Sequence, residues 1–201
     1  MSCNKKWMSF WWFLLEKGGI KIMNYHTITY PDQNNGDGLR VCLWLSGCNH
    51  HCKGCHNPQT WSPDSGILFD ENAKKELFEE LGKDYISGIT FTGGDPLHEN
   101  NIQEVLTLIN EIKDKYPEKT IWLYTGYSWD EIWFPYDELI TNHSQARFTR
   151  YVTIKDIDVL VEGKYKEDLR DVTLKWRGSS NQRVINVQES IRQNKIVLHC
   201  D

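Results

Sequence analysis

The chain has 201 residues, of which 39% are hydrophobic and 25% are charged, and its formal net charge is −5 at pH 7. This length and composition predict one domain with a single substantial core. The lysines and arginines form no basic block, which argues against non-specific binding to nucleic acid. Three of the six cysteines are clustered, a pattern that favours reduced thiols in the cytoplasm over a disulfide framework.

The amino terminus contains a short apolar run at residues 7–15. A membrane-spanning helix needs about 20 apolar residues, and no small-residue cleavage site follows the run, so we expect neither membrane insertion nor secretion. Residues 17–19 can be encoded by a purine-rich ribosome-binding sequence a few codons before Met23. We therefore interpret residues 1–22 as translated upstream sequence without a fold, and residues 23–201 as the functional domain.

From Met23 onward, hydrophobic patterns predict strands that alternate with helices. In chain order we predict a turn at 34–38, a strand at 41–45 and a helix from Asp70 to Gly82. A strand at 88–92, a helix from about 102 that Pro117 ends, and a strand at 121–124 follow. We then predict a helix with Ser128 and Glu131 as its capping box, helix plus loop at 134–156, and strands at 158–162 and 183–187. This alternation predicts an α/β fold with a parallel sheet. It is compatible with an open doubly wound sheet and with an incomplete barrel.

The loop after the first of these strands contains Cys48, Cys52 and Cys55 in a CxxxCxxC spacing. A protein that holds a cubane iron–sulfur cluster entirely by itself supplies four thiolates. A loop with three cysteines therefore leaves one iron for a ligand that is not part of the protein.

Two other interpretations of this loop stay open. A structural zinc ion would take its fourth ligand from His50, His51 or His56, although the chain has no second CxxC or HxxxH pair of the usual kind. A redox dithiol would use Cys52 and Cys55 and would leave the first cysteine of the motif unexplained.

Glycine-rich or polar segments also follow the later strands. They are Gly93-Gly94-Asp95-Pro96, Thr125-Gly126 and Glu162-Gly163-Lys164. Each alone is more often a turn or a solvated charge pair. Because the carboxyl ends of parallel strands meet at one sheet edge, we predict that Gly93, Gly94, Asp95, Thr125, Glu162 and Lys164 line a cofactor site beside the cysteines. Glycines there would let the backbone approach a small zwitterionic ligand.

The segment 176–182 is polar, aromatic and basic, and it lacks apolar periodicity. It could be an ordinary surface loop. Tryptophan and arginine together are enriched at interface hot spots, so we predict that Trp176, Arg177 and Asn181 contribute to a docking surface for another protein.

A CxxxCxxC motif after one strand, followed by GGDP at the end of the next, resembles the radical S-adenosylmethionine superfamily. Within it, six stretches are similar to anaerobic ribonucleoside-triphosphate reductase activating proteins, over roughly residues 23–187. They are 23–25, 35–38, 46–48, 92–97, 122–127 and 176–182.

This resemblance implies an incomplete parallel β/α barrel that holds a [4Fe-4S] cluster through Cys48, Cys52 and Cys55, with S-adenosylmethionine chelating the fourth iron. Residues 93–95 match the motif that binds the methionyl amino group. Gly54, Cys55 and His56 lie where related proteins contact the adenosyl part. Many superfamily members have an aromatic residue at the position of Gly54, and close relatives often have tyrosine at the position of His56.

The implied activity is the reductive cleavage of S-adenosylmethionine, which generates a glycyl radical on the large subunit of the reductase. The expected electron donor is a protein such as reduced flavodoxin. Alternatives are an activase of the pyruvate formate-lyase type, a non-catalytic zinc-binding interaction module and a four-thiolate electron carrier. The segment 176–180 and the short chain favour the reductase as the partner.

Overall fold

The computed structural model describes residues 23–133 and 145–200. The prediction that residues 1–22 are an extension without a fold concerns residues outside this part. Residues 134–144 of the segment predicted as helix plus loop at 134–156 also lie outside it, and its described remainder contains a helix at Gln145–Ile154. Within the described residues, no helix is both long enough and apolar enough to cross a membrane.

The described strands form one seven-stranded sheet in the order β3-β1-β2-β4-β5-β6-β7. The strands are β1 (Asn24–Asp32), β2 (Arg40–Leu45), β3 (Ile67–Leu68), β4 (Gly88–Gly93), β5 (Thr120–Tyr124), β6 (Val159–Glu162) and β7 (Arg183–Asn186). The helices are α1 (Glu71–Leu81), α2 (Ile102–Lys115), α3 (Trp129–Ile132), α4 (Gln145–Ile154) and α5 (Val187–Gln193). The α/β class and the single domain are confirmed.

The prediction of a wholly parallel sheet is wrong at its edges. β2, β4, β5 and β6 are parallel to one another, whereas β1, β3 and β7 pair antiparallel. The connections explain the difference. Residues 33–39 form only a short turn between β1 and β2, and residues 163–182 contain no crossover helix before β7, so neither connection can return the chain to a parallel strand.

The predicted helix ends are confirmed where capping side chains mark them. The side chain of Asp70 accepts hydrogen bonds from the amides of Asn72 and Ala73 at the start of α1, and Gly82 caps its end. Ser128 and Glu131 form the predicted capping box of α3. These bonds satisfy backbone amides that have no partner within the helix.

The sheet buries side chains on both of its faces. Val41, Leu43 and Leu45 of β2 belong to one buried cluster with residues of α1 and α2, such as Leu77 and Ile109. The opposite face carries a smaller cluster formed by Trp122, Val159, Val161 and Val184. Because its central strands are covered in this way, the sheet provides a rigid base for the loops at its carboxyl edge.

Arg40 is fully buried at the opposite, amino-terminal edge of the parallel strands. Its guanidinium donates to the carbonyl oxygens of Ile89 at 2.6 Å and Thr120 at 2.9 Å, and to the hydroxyl of Thr90 at 2.7 Å. It also lies 5.3 Å from the ring centroid of Trp122. Burial lowers the pKa of Arg40 to about 10, and the side chain joins β2, β4 and β5 at one point.

We expect Arg40→Ala to lower the free energy of unfolding by about 3 kcal/mol, because buried carbonyl oxygens would lose their donors. Urea unfolding followed by circular dichroism measures this loss. The matched control is Arg192→Ala, since the Arg192 side chain is 70% exposed, and a change within about 0.5 kcal/mol is expected there. Equal effects of the two substitutions would contradict the role assigned to Arg40.

Candidate functional site

The cysteine loop (residues 46–58) follows β2, and the glycine turn (residues 93–96) follows β4. Since β2 and β4 are neighbouring parallel strands, both segments leave the same edge of the sheet. The prediction that they lie side by side is therefore confirmed.

The two segments are joined by backbone contacts. The amide of Gly94 donates to the Leu45 carbonyl, and the amide of Asp95 donates to the Gly47 carbonyl, both at 2.8 Å. A Cβ on Gly94 would lie 2.6 Å from the Gly47 oxygen, and Gly93 has a φ of +99°. Side chains at these positions would push the cysteine loop away, so both glycines are needed for the close approach of the two segments.

Asn101, at the start of α2, holds the same junction. Its fully buried side-chain amide donates to the carbonyl oxygens of Ser46 at 2.7 Å and Asp95 at 2.9 Å. Sequence reasoning missed this residue, because an asparagine at the start of a helix is usually interpreted as the helix cap. The side chain instead connects the cysteine loop to the glycine turn.

Cys48, Cys52 and Cys55 are half-buried. Against the effect of burial, the backbone amides of His50 and His51 lower the pKa of Cys48, and that of Tyr165 lowers the pKa of Cys52. The Cys55 sulfur accepts a hydrogen bond from the Asn57 amide at 3.4 Å. Such bonds to sulfur stabilise thiolate ligands and tune iron–sulfur clusters. This donor set fits a cluster with three protein ligands.

Burial dominates the electrostatics of the first two thiols. It raises the pKa of Cys48 to about 11, with a further contribution from the Asp95 carboxylate. Burial also raises the pKa of Cys52, while the charge of Lys164 acts in the opposite direction. Among residues 23–133 and 145–200, no group of three His, Cys, Asp or Glu side chains is arranged to hold a metal ion. The three cysteines share one loop, but their side chains are not grouped around a common point.

The carboxylate of Asp95 is 1% exposed and accepts hydrogen bonds from four groups. The Leu97 amide donates to Oδ1 at 2.8 Å, and the Thr125 hydroxyl lies 2.9 Å from both oxygens. Oδ2 accepts from the Gly126 amide at 3.0 Å and from His50 Nε2 at 2.7 Å. Asp95 thus connects the glycine turn, the cysteine loop and the end of β5.

His50 is buried although it belongs to the cysteine loop, since its side chain is only 7% exposed. Its ring packs edge-on against Tyr127 at 4.6 Å, and a Cβ on Gly126 would collide with it. Arg150 lies over the Tyr127 ring at 3.9 Å and donates to its hydroxyl at 2.8 Å. Sequence reasoning considered His50 only as a zinc ligand and did not identify Tyr127 or Arg150.

Gly54 and His56, predicted to contact the adenosyl part of a cofactor, face the segment after β6. A Cβ on Gly54 would collide with the carboxylate of Glu167. The His56 ring lies 5.7 Å from the ring of Tyr165, whose hydroxyl donates to Glu167 at 2.6 Å. Their contact with a cofactor stays a prediction.

Glu162, Lys164 and Asn181 line one cleft of about 510 Å³ at the ends of β5 and β6. This volume is typical of small-molecule sites. The Glu162 carboxylate is 2% exposed and accepts from the Trp129 amide at 2.8 Å and from Arg183. Asn181 donates to the Lys164 carbonyl at 2.9 Å. Glu162 thus has a structural role, and its contact with a cofactor stays a prediction.

A family model described as a 4Fe-4S single cluster domain matches residues 34–185, which include the cysteine loop. The chain is 43% identical over 162 residues to the anaerobic ribonucleoside-triphosphate reductase-activating protein of Enterobacteria phage T4, covering 81% of this chain and 93% of that protein. It is 40% identical over 164 residues to the protein of that name from Escherichia coli strain K12, covering 81% and 97%. This chain belongs to that family. The match also supports a [4Fe-4S] cluster as its cofactor.

Two of the residues predicted to dock another protein make contacts within this chain. The Trp176 ring packs at 5.0 Å against Trp122, and Arg177 donates to the Gln182 carbonyl at 3.0 Å. The exposed apolar residues of the same region are Leu169, at 41%, and Val172, at 80%. Sequence reasoning missed both, because isolated apolar residues in a polar loop carry no periodic signal.

We expect Gly94→Ala to reduce iron incorporation severalfold, because its Cβ would separate the glycine turn from the cysteine loop. Iron and sulfide analysis after anaerobic reconstitution measures the effect. Asn49→Ala is the control, since Asn49 is an exposed residue of the same loop and should bind iron like the wild type. Normal iron content in the Gly94 variant would show that the close approach is dispensable.

Proposed function

We propose that this chain activates an anaerobic ribonucleoside-triphosphate reductase by using a [4Fe-4S] cluster together with S-adenosylmethionine, in the unit formed by residues 23–201. The observation that carries the proposal is the loop of three half-buried cysteines, in which the Cys55 sulfur accepts a hydrogen bond from the Asn57 amide at 3.4 Å. Its position beside the glycine turn supports a second ligand next to the cluster. The names of the related proteins support the reductase as the partner.

The bound cluster and S-adenosylmethionine supply one-electron chemistry that can remove a hydrogen atom from a glycine of the reductase, while the protein binds and orients them. Cys48, Cys52 and Cys55 would hold the cluster, and the Asn57 amide would stabilise the Cys55 thiolate. The glycine turn keeps the loop at a fixed distance from the sheet. No general acid or base is required, and the electron donor, with reduced flavodoxin as its expected type, stays a prediction.

We place the methionyl part of the cofactor near residues 93–95 and the cleft beside Thr125. The cleft is lined by Lys164, Lys166 and Arg183 together with Glu131 and Glu162. Since Arg183 pairs with Glu162, we assign the cofactor carboxylate to Lys164 and Lys166, whose charges are complementary to it. Residues 54–56 are placed at the adenosyl part. The parallel arrangement of β2, β4, β5 and β6 is compatible with an incomplete barrel around this site.

The direct test is anaerobic reconstitution followed by iron, sulfide and zinc analysis and by electron paramagnetic resonance of the partner reductase. We expect about four irons per wild-type chain and a glycyl radical on the reductase. Cys52→Ala should abolish the radical and lower the iron content, because one of three protein ligands is lost. Cys42→Ala is the control, since Cys42 is buried in β2. Colourless protein with one zinc per chain would instead favour the zinc-binding module.

We propose that the loop between β6 and β7 (residues 163–182) docks the reductase. It begins and ends at the carboxyl edge of the sheet, where the cysteine loop also lies. Its tip is held by the pairing of Arg170 with Ser179, while Leu169 and Val172 present apolar surface to a partner. A substrate that is a residue of another protein requires such a surface next to the cluster.

We expect Val172→Asp to lower the yield of glycyl radical about tenfold, because a charge would enter a desolvated contact. Cleavage of S-adenosylmethionine without the reductase, measured as methionine released, should be unchanged. Tyr85→Asp is the matched control, because Tyr85 is 55% exposed but precedes β4 and so lies at the opposite edge of the sheet. Parallel loss of both activities in the Val172 variant would exclude a docking role.

A further inference from the structure

We infer that Asp95 is a positioning residue that ties the cysteine loop to the end of β5 through His50, and that its carboxylate does not contact S-adenosylmethionine. This inference rests on the proposed function. It differs from what the motif match implies, namely that residues 93–95 as a group bind the methionyl amino group. We call the hydrogen bond between His50 and Asp95 the clasp.

Hydrogen-bond donors from the protein occupy the acceptor positions of the Asp95 carboxylate. A carboxylate offers about four lone-pair positions, and Asp95 receives four donors, from Leu97, Thr125, Gly126 and His50. The side chain is 2% exposed. An ammonium group could reach it only by displacing one of these bonds and leaving a buried donor without a partner, which is costly.

Neighbouring groups fix the position of the His50 ring. The ring is held by the edge of Tyr127 on one side and by the backbone of Gly126, where a Cβ would collide with it. Arg150 in turn fixes Tyr127. His50 therefore has one orientation, in which Nε2 donates to Asp95.

The clasp lies within the cysteine loop. His50 is two residues from both Cys48 and Cys52. Gly126, which shares Asp95 Oδ2 with His50, lines the cleft. The clasp thus sets the separation between the cluster ligands and the cleft, so Asp95 affects cofactor binding through His50 and not by contact.

A double-mutant cycle tests the inference on the cluster-loaded chain. Asp95→Asn removes the Oδ2 acceptor, and His50→Phe keeps a packed ring without its donor. Equilibrium dialysis gives the dissociation constant for S-adenosylmethionine. In the wild-type background Asp95→Asn should weaken binding about 10-fold to 100-fold, whereas in the His50→Phe background the further loss should be below about threefold.

The same factor in both backgrounds would overturn the inference, because direct contact with the cofactor does not depend on His50. His50→Gln provides the rescue, since its amide nitrogen can donate to Asp95, and binding within about threefold of the wild type is expected. If the Phe variant does not load iron, the Gln variant decides: restored iron and binding support the clasp, and failure to restore them refutes it.

His51→Gln is the matched control in the same loop. The exposed His51 ring packs on Trp61 at 4.8 Å, so Asp95→Asn should keep its full effect in this background.

The change in the cluster's electron paramagnetic resonance spectrum on addition of S-adenosylmethionine is a second readout, which should be reduced in His50→Phe and normal in His51→Gln. Wild-type protein without a cluster would refute the proposed function, whereas additive effects in a loaded wild type would refute only the clasp.

Discussion

The close approach of two backbone segments, at Gly47 and Gly94, is the constraint on which the rest of the site depends. Parallel pairing of β2 and β4 brings these segments together, but only a residue without Cβ allows contact at this distance. Once the contact exists, Asp95 reaches His50 and Asn101 reaches Ser46. The sheet therefore determines where the three cysteines lie, although they belong to a loop without regular structure.

At each end of the parallel strands a buried charged group is satisfied by hydrogen bonds with several chain segments. Arg40 at the amino end is satisfied mainly by carbonyl and hydroxyl oxygens, and Asp95 at the carboxyl end by amide, hydroxyl and imidazole donors. A buried charge without such partners would cost several kcal/mol. Each group consequently joins three chain segments, and its removal affects all of them together.

The sequence was sufficient for the central strands, the capped helices and the pairing of the cysteine loop with the glycine turn. It did not predict β1 or β3, and it did not give the direction of β7, because alternation of side chains has the same period in parallel and antiparallel strands. It also did not identify the role of His50. A histidine in a cysteine-rich loop has the signature of a zinc ligand, and its contact with Asp95, 45 residues later, is visible only in the structure.

The loop between β6 and β7 shows that residue type and exposure are separate properties. Trp176 and Arg177 have the composition of a hot spot, and the ring packs on Trp122 while the guanidinium bonds to Gln182. Val172 of the same loop is exposed. A preformed surface loses less entropy when a partner binds, so under the docking proposal these internal contacts would keep the exposed residues in place.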